Sequence, residues 1–189
     1  MKALKEKILK EGSVLPGNIL KVGSFLNHQL DVDFIMEMGK EIAERFKGEK
    51  ITKILTVETS GIAIAMGAAA AMHLPVVFAK KHKTGNLSGD LYTTVVHSYT
   101  HGVDYNIVVN TEFLTEEDRV LIVDDFLANG KALLGLIDIV GQAGATVAGC
   151  SCAIEKGFQK GGDNLRQEGI RVESLAIIES MDDTSLTFR

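Results

Sequence analysis

The chain has 189 residues, 46% hydrophobic and 24% charged, which suits a single globular domain over residues 1–189 with a sizeable core. Its net charge of −5 withholds the basic field that a nucleic-acid binder carries. No apolar run reaches the ~20 residues that span a bilayer, and the opening Met1-Lys2-Ala3-Leu4-Lys5-Glu6-Lys7 has no apolar signal core, so a cytoplasmic protein without membrane contact is expected.

Residues 2–11 read as a short amphipathic helix ending at Gly12. Residues 13–30 read as irregular to extended, with a Pro16-Gly17 turn. Phe34, Ile35, Met38, Ile42 and Phe46 then recur at helical spacing, between an N-cap at Asp31 or Asp33 and a stop at Gly48. Beyond that the chain alternates. Strands are expected at 54–57, 75–79, 120–123, 146–154 and 172–178, and helices at 61–73, 130–142 (closed by Gly144) and 164–168. Continuous apolar strands separated by helices predict an α/β fold, with a parallel sheet covered on both faces. Residues 80–110 interrupt the rhythm with a basic start and two β-rich stretches, 92–96 and 105–109, split by His101-Gly102. A hairpin or long loop standing off the sheet is expected there, ordered at its base and mobile at its tip. Cys150 and Cys152, two apart on a strand, are read as reduced, buried apolar fillers.

Ligands of open parallel sheets bind beyond the carboxyl ends of the strands, so those ends are where chemistry is sought. The apolar strand 120–123 runs into Asp124-Asp125-Phe126-Leu127-Ala128-Asn129-Gly130-Lys131-Ala132. Two carboxylates at a strand tip can accept hydrogen bonds from a vicinal diol such as that of ribose. The helix start behind them offers N–H groups and a positive dipole end to a phosphate. Diol binder and phosphate binder side by side match a ribose 5-phosphate. The Walker pattern fails twice, because Asp125 stands at its first glycine and Ala132 follows the lysine, and no G-x-G-x-x-G run occurs.

This segment resembles the phosphoribosyl pyrophosphate (PRPP) motif of type I phosphoribosyltransferases, an apolar strand, two acids and a Thr-Gly turn. Asn129 stands where that family usually has Thr, and Ala132 where Thr or Ser often closes the loop. The resemblance covers nearly the whole chain. It implies a twisted, mostly parallel sheet flanked by helices, with a small N-terminal hood formed largely by residues 1–30 and a flexible β-hairpin loop. By the same resemblance Asp124 and Asp125 hold the ribose hydroxyls. Ala128, Asn129, Gly130, Lys131 and Ala132 cradle the 5-phosphate, and Mg2+ arrives with PRPP or pyrophosphate.

Glu58-Thr59-Ser60-Gly61 is similar to the family's pyrophosphate loop, in which small residues let backbone N–H groups approach an anion. Taken alone, a strand-to-helix turn with a Ser cap explains it equally well. Lys80-Lys81-His82-Lys83 resembles the basic stretch that opens the flexible loop in adenine and xanthine phosphoribosyltransferases. Its ammonium groups would steady departing pyrophosphate, although a solvated charge run reads the same way. The resemblance therefore implies pyrophosphate contacts from Thr59, Ser60, Gly61, Lys80 and Lys81. It also implies a homodimer, since part of this stretch reaches a neighbouring subunit's site in that family. Adenine-using relatives carry a Glu late in this loop. None occurs between Glu58 and Glu112, which speaks against adenine and leaves the proton-transfer group unassigned.

Residues 15–27 resemble the hood that covers the purine in xanthine-using members, and Ile154-Glu155-Lys156-Gly157-Phe158 resembles their base-binding stretch. Leu20, Asn27 and Lys156 are the base contacts this implies. Lysine only donates, so Lys156 suits a 6-oxopurine and not adenine. Asn27 can donate to the 2-carbonyl of xanthine, and it can also accept. Phe158 could stack on the base or belong to the core. The implied reaction is purine salvage, the transfer from PRPP to N9 of xanthine that gives XMP and pyrophosphate. Guanine or hypoxanthine as the base stays open. So does a PRPP-sensing regulator resembling the purine-operon repressor, although the 30 or so residues before the first core helix are short and weakly basic for a winged helix.

Overall fold

A computed structural model describes residues 1–82, 90–98 and 103–189. Its first element, α1 (Lys2–Glu11), buries Leu4 and Ile8, one helical turn apart, and stops at Gly12. A small antiparallel hairpin follows, β1 (Ser13–Leu15) and β2 (Ile19–Lys21), then a π-helical turn over Gly23–Asn27. The segment expected to be irregular is therefore ordered, as a short hairpin and a helical turn. Gly17 and Asn18 hold its turn at φ 85° and 60°, a region that glycine and asparagine tolerate best. α2 (Val32–Arg45) begins at Asp31, whose carboxylate accepts the Phe34 N–H at 3.1 Å.

The remaining strands form one eight-stranded sheet. They are β3 (Lys53–Val57), β4 (Val76–His82), β5 (Leu91–Ser98), β6 (Val103–Asn110), β7 (Arg119–Leu127), β8 (Thr146–Lys156), β9 (Val172–Met181) and β10 (Leu186–Phe188), in the order β10-β9-β8-β7-β3-β4-β6-β5. The five central strands run parallel, and β10 and the β5–β6 pair close the edges antiparallel. Helix α3 (Gly61–Met72) packs with α1 and α2 on one face. There Phe25, Met38, Ile42, Phe46 and Ile64 are buried against Ile54, Leu121 and Val123. Helix α4 (Lys131–Gln142) covers the other face, where Leu133, Leu136 and Ile139 meet Leu55, Val120 and Ile122. Each such side chain contributes about 1.5–3 kcal/mol on burial. A short α5 (Gly161–Gln167) starts earlier than its sequence pattern indicates.

The hairpin corrects one expectation. β4 runs on to His82 and pairs with β6 through Lys80↔Val108 and Lys81↔Ile107, so the excursion extends the sheet and does not stand off it. Lys83, Gly85, Asn86, Ser88 and Gly89, and the His101-Gly102 link, lie outside the described residues. Cys150 and Cys152 are buried and free, and burial pushes both thiols up, Cys150 to about 12, which keeps them inert as expected of apolar fillers.

The strand order fixes where a ligand can enter. From β3 the chain crosses to β4 on one side, and β7 then inserts on the other. Such a reversal opens a crevice beyond the carboxyl ends of the two strands. β3 and β7 pair only as far as Leu55↔Ile122, while β7 continues beside β8 to Leu127↔Glu155. The far end of β7 is thus exposed to the crevice along one edge.

Candidate active site

Asp124 and Asp125 sit on that overhang. The pleat sends successive side chains to opposite faces, so the pair straddles the strand end. Asp125 turns to the hood, where the Asn27 amide donates to its Oδ2 at 3.4 Å. Asp124 turns inward and is only 6% exposed, its Oδ1 accepting the Asp125 N–H at 2.9 Å. Burial, reinforced by the charge of Asp125, pushes the Asp124 carboxyl well above its ordinary range. Lys81 acts on it in the opposite sense. Tyr105 of β6 is raised by burial and by the charge of Asp124.

The turn after β7 has an anion-binding shape. Gly130 adopts φ 84° immediately before α4, and Asn129 Oδ1 accepts the Lys131 N–H at 3.1 Å. The N–H groups of a helix's first turn have no intrahelical acceptors. Ala128, Asn129, Gly130, Lys131 and Ala132 line a cavity of about 90 Å³ with Phe126, Leu127 and Leu133. From behind, the Gly161 N–H donates to the Ala128 carbonyl at 3.1 Å. A Cβ on Gly161 would lie 2.3 Å from that oxygen, so only glycine lets α5 press on the loop.

Across the crevice, β3 ends in Glu58-Thr59-Ser60, with the Glu58–Thr59 peptide cis, and Gly61 opens α3. Ser60 makes no side-chain capping bond, so a Ser cap does not explain this turn. Glu58 Oε1 accepts the Lys81 N–H at 2.6 Å, which ties the turn to β4. Lys81 lies with its Nζ 5.2 Å from the centre of the Tyr105 ring, on the crevice side. Lys80, one pleat on, lines a groove with Phe78, Val108 and Phe113 instead. The two lysines paired in the sequence reading therefore face different ways.

Leu20 and Asn27 line one hollow of about 620 Å³ formed by the hood segment itself, together with Val22, Gly23 and Ser24. Lys156, at the end of β8, reaches the same hood, donating to the Asn18 carbonyl at 2.9 Å, with its Nζ 5.9 Å from the Phe126 ring centre. Burial lowers its pKa, so its ammonium gives up its proton more readily than a surface lysine does. The neighbouring Glu155 is wholly buried and is met by Arg166 at 2.9 and 2.7 Å and by the Ser174 hydroxyl. Phe158 packs against the core. Sequence reasoning passed over Phe126, Tyr105, Glu58 as a link to Lys81, and Thr56, whose buried hydroxyl has no hydrogen-bond partner.

A phosphoribosyl transferase domain model matches residues 21–182. The xanthine phosphoribosyltransferase of Bifidobacterium adolescentis is 56% identical over 183 residues, covering 96% of this chain and 95% of its own. Xanthine phosphoribosyltransferase 1 of Clostridium perfringens is 55% identical over 190 residues, covering both chains fully. Among solved structures, APRTase from Giardia lamblia complexed with 9-deazaadenine superimposes with a TM-score of 0.78 at 22% identity, over 94% of this chain and 98% of its own. Adenine phosphoribosyltransferase from Thermoanaerobacter pseudethanolicus gives 0.74 at 21% identity, over 92% and 98%. At that identity the two structures speak for the fold alone.

Proposed function

Because this chain belongs to the phosphoribosyltransferase family, we propose that it transfers the phosphoribosyl group of PRPP to N9 of xanthine, forming XMP and pyrophosphate in purine salvage. The observation that carries the reading is the overhang of β7. It sets two carboxylates and a glycine turn at a helix start beside one crevice, with the Lys156 ammonium at the hood above it. In this reading Asp124 and Asp125 accept the ribose hydroxyls, and the turn of residues 128–132 holds the 5-phosphate. Thr59, Ser60, Gly61 and Lys81 face the pyrophosphate. The N9–C1′ bond forms as the C1′–O bond to pyrophosphate breaks, the bonding pair leaves with the pyrophosphate oxygen, and the imidazole N–H proton of the base is lost to the medium. Positive charge gathers on the sugar ring in between, beside the acids of β7.

Leu20, Asn27 and Lys156 would frame the base. Lys156 donates to the 6-carbonyl of xanthine, and the Asn27 amide to the 2-carbonyl. Both groups are bonded to the protein itself, Lys156 to Asn18 and Asn27 to Asp125, so the base exchanges hydrogen bonds on entry. Among the described residues no three His, Cys, Asp or Glu side chains cluster as metal ligands, and the carboxylates at the crevice are the β7 acids and Glu58, which is bonded to the Lys81 N–H. That donor set fits Mg2+ held mainly by PRPP oxygens and water, where the ion would neutralise pyrophosphate charge. Lys80 lines a groove with the exposed Phe78 and Phe113, which supports a second copy of the chain docking there and a homodimer. Two free, buried thiols support a cytoplasmic setting.

Steady-state kinetics with xanthine, guanine, hypoxanthine and adenine test the base. The expected order places xanthine first in kcat/KM and adenine last, each mismatched hydrogen bond costing about 1–3 kcal/mol, or roughly tenfold to a hundredfold. A preference for adenine would overturn the assignment.

A further inference from the structure

Thr56 lies in the middle of β3, flanked by the buried apolar residues Leu55 and Val57. Its side chain is wholly buried, and its Oγ1 is the one buried side-chain polar atom among the described residues without a hydrogen-bond partner. Burial makes an orphaned hydroxyl unfavourable, and valine would fill the same space without it. The atom points toward the start of α3. A Cβ on Gly61 would stand 2.3 Å from Thr56 Oγ1 and 2.8 Å from Asp124 Oδ1. Strands β3 and β7 thus bring a hydroxyl and a carboxylate against a single glycine at the start of α3. Asp124 Oδ1 already accepts the Asp125 N–H, and a carboxylate oxygen has room for a second donor.

We propose that Thr56 is a positioning residue whose hydroxyl is the reserve donor to Asp124, engaged when that carboxylate turns to grip the ribose of PRPP. The inference rests on Asp124 being a ribose ligand. It goes beyond that reading by giving a buried strand residue, out of reach of substrate, a share in PRPP binding.

Thr56→Val, Thr56→Ser and Asp124→Asn in the full-length protein test it, each measured for kcat, for KM with PRPP and with xanthine, and for melting temperature. Thr56→Val should melt no lower than the parent yet lose about tenfold in kcat/KM for PRPP, the worth of one hydrogen bond. KM for xanthine should hold, and Thr56→Ser should restore the loss. Thr56→Ala, which cannot overpack, reads the same loss if the valine variant does not fold. Parental PRPP kinetics in Thr56→Val, or a loss that serine fails to rescue, overturns the role of Thr56. Full activity in Asp124→Asn instead overturns the ribose reading beneath it.

Discussion

Asp118, just before β7, and Asp124, near its far end, are both buried, at 9% and 6% exposure. Burial pushes both carboxyls up, but their surroundings differ. Asp118 accepts from Lys53 at 2.7 Å, from the Thr115 N–H at 2.9 Å and from the Thr52 hydroxyl at 2.9 Å. These donors outweigh burial and hold it below its ordinary value. The same end of the sheet carries Glu49 clasped by Arg119 at 2.6 Å and by Arg171 at 3.3 Å. Asp124 has one N–H from its neighbour, a second acid beside it and a raised pKa. One end of the strand has met its hydrogen-bonding needs with protein. The other keeps acceptor capacity to spare, and a perturbed acid in a cleft is a candidate functional group.

The largest effect that separates the two ends should come from Asp125→Asn. It removes a charged acceptor from the crevice, and kcat/KM for PRPP should fall about a hundredfold, for lost charge-assisted bonds of about 1.5–3 kcal/mol each. The melting temperature should hold, and unchanged kinetics would break the assignment. A smaller effect separates the buried acids in pH-dependent denaturant unfolding. Asp118 has a depressed folded pKa, so its contribution is present above the ordinary carboxyl value of 3.8 and is lost as pH falls through the folded one. Asp118→Asn should cost about 2–3 kcal/mol at neutral pH, leaving Lys53 without its carboxylate and with the Phe113 carbonyl as acceptor. Asp124 has a raised folded pKa, so its contribution is full below 3.8 and is lost as pH rises through the folded value. Asp124→Asn should therefore gain stability toward neutral pH and flatten that limb. Equal losses from both variants would erase the contrast between the ends.

Much of this was legible in the chain. Four apolar residues, two acids and a glycine turn locate the end of β7 because such a strand is buried on both faces and a following acid pair must emerge from it. The helices followed from their spacing and caps, as at Asp31. What stayed hidden depends on long-range pairing. The β4–β6 ladder joins residues 80–82 to 106–108, and nothing local distinguishes an edge hairpin from a free loop. That same ladder's pleat separates Lys80 from Lys81, which adjacency in sequence had placed together. Thr56 was unreadable for another reason. A β-branched residue between apolar neighbours looks like strand filler, and only the approach of Gly61 and Asp124 shows where its hydroxyl points.

The most direct test of the ribose-phosphate site at the end of β7 is a crystal structure with XMP. The expected result is a 5-phosphate seated in the turn of residues 128–132, both ribose hydroxyls on Asp124 and Asp125, and Asn27 released from Asp125. A nucleotide bound elsewhere, with Asn27 still donating to Asp125, would contradict it.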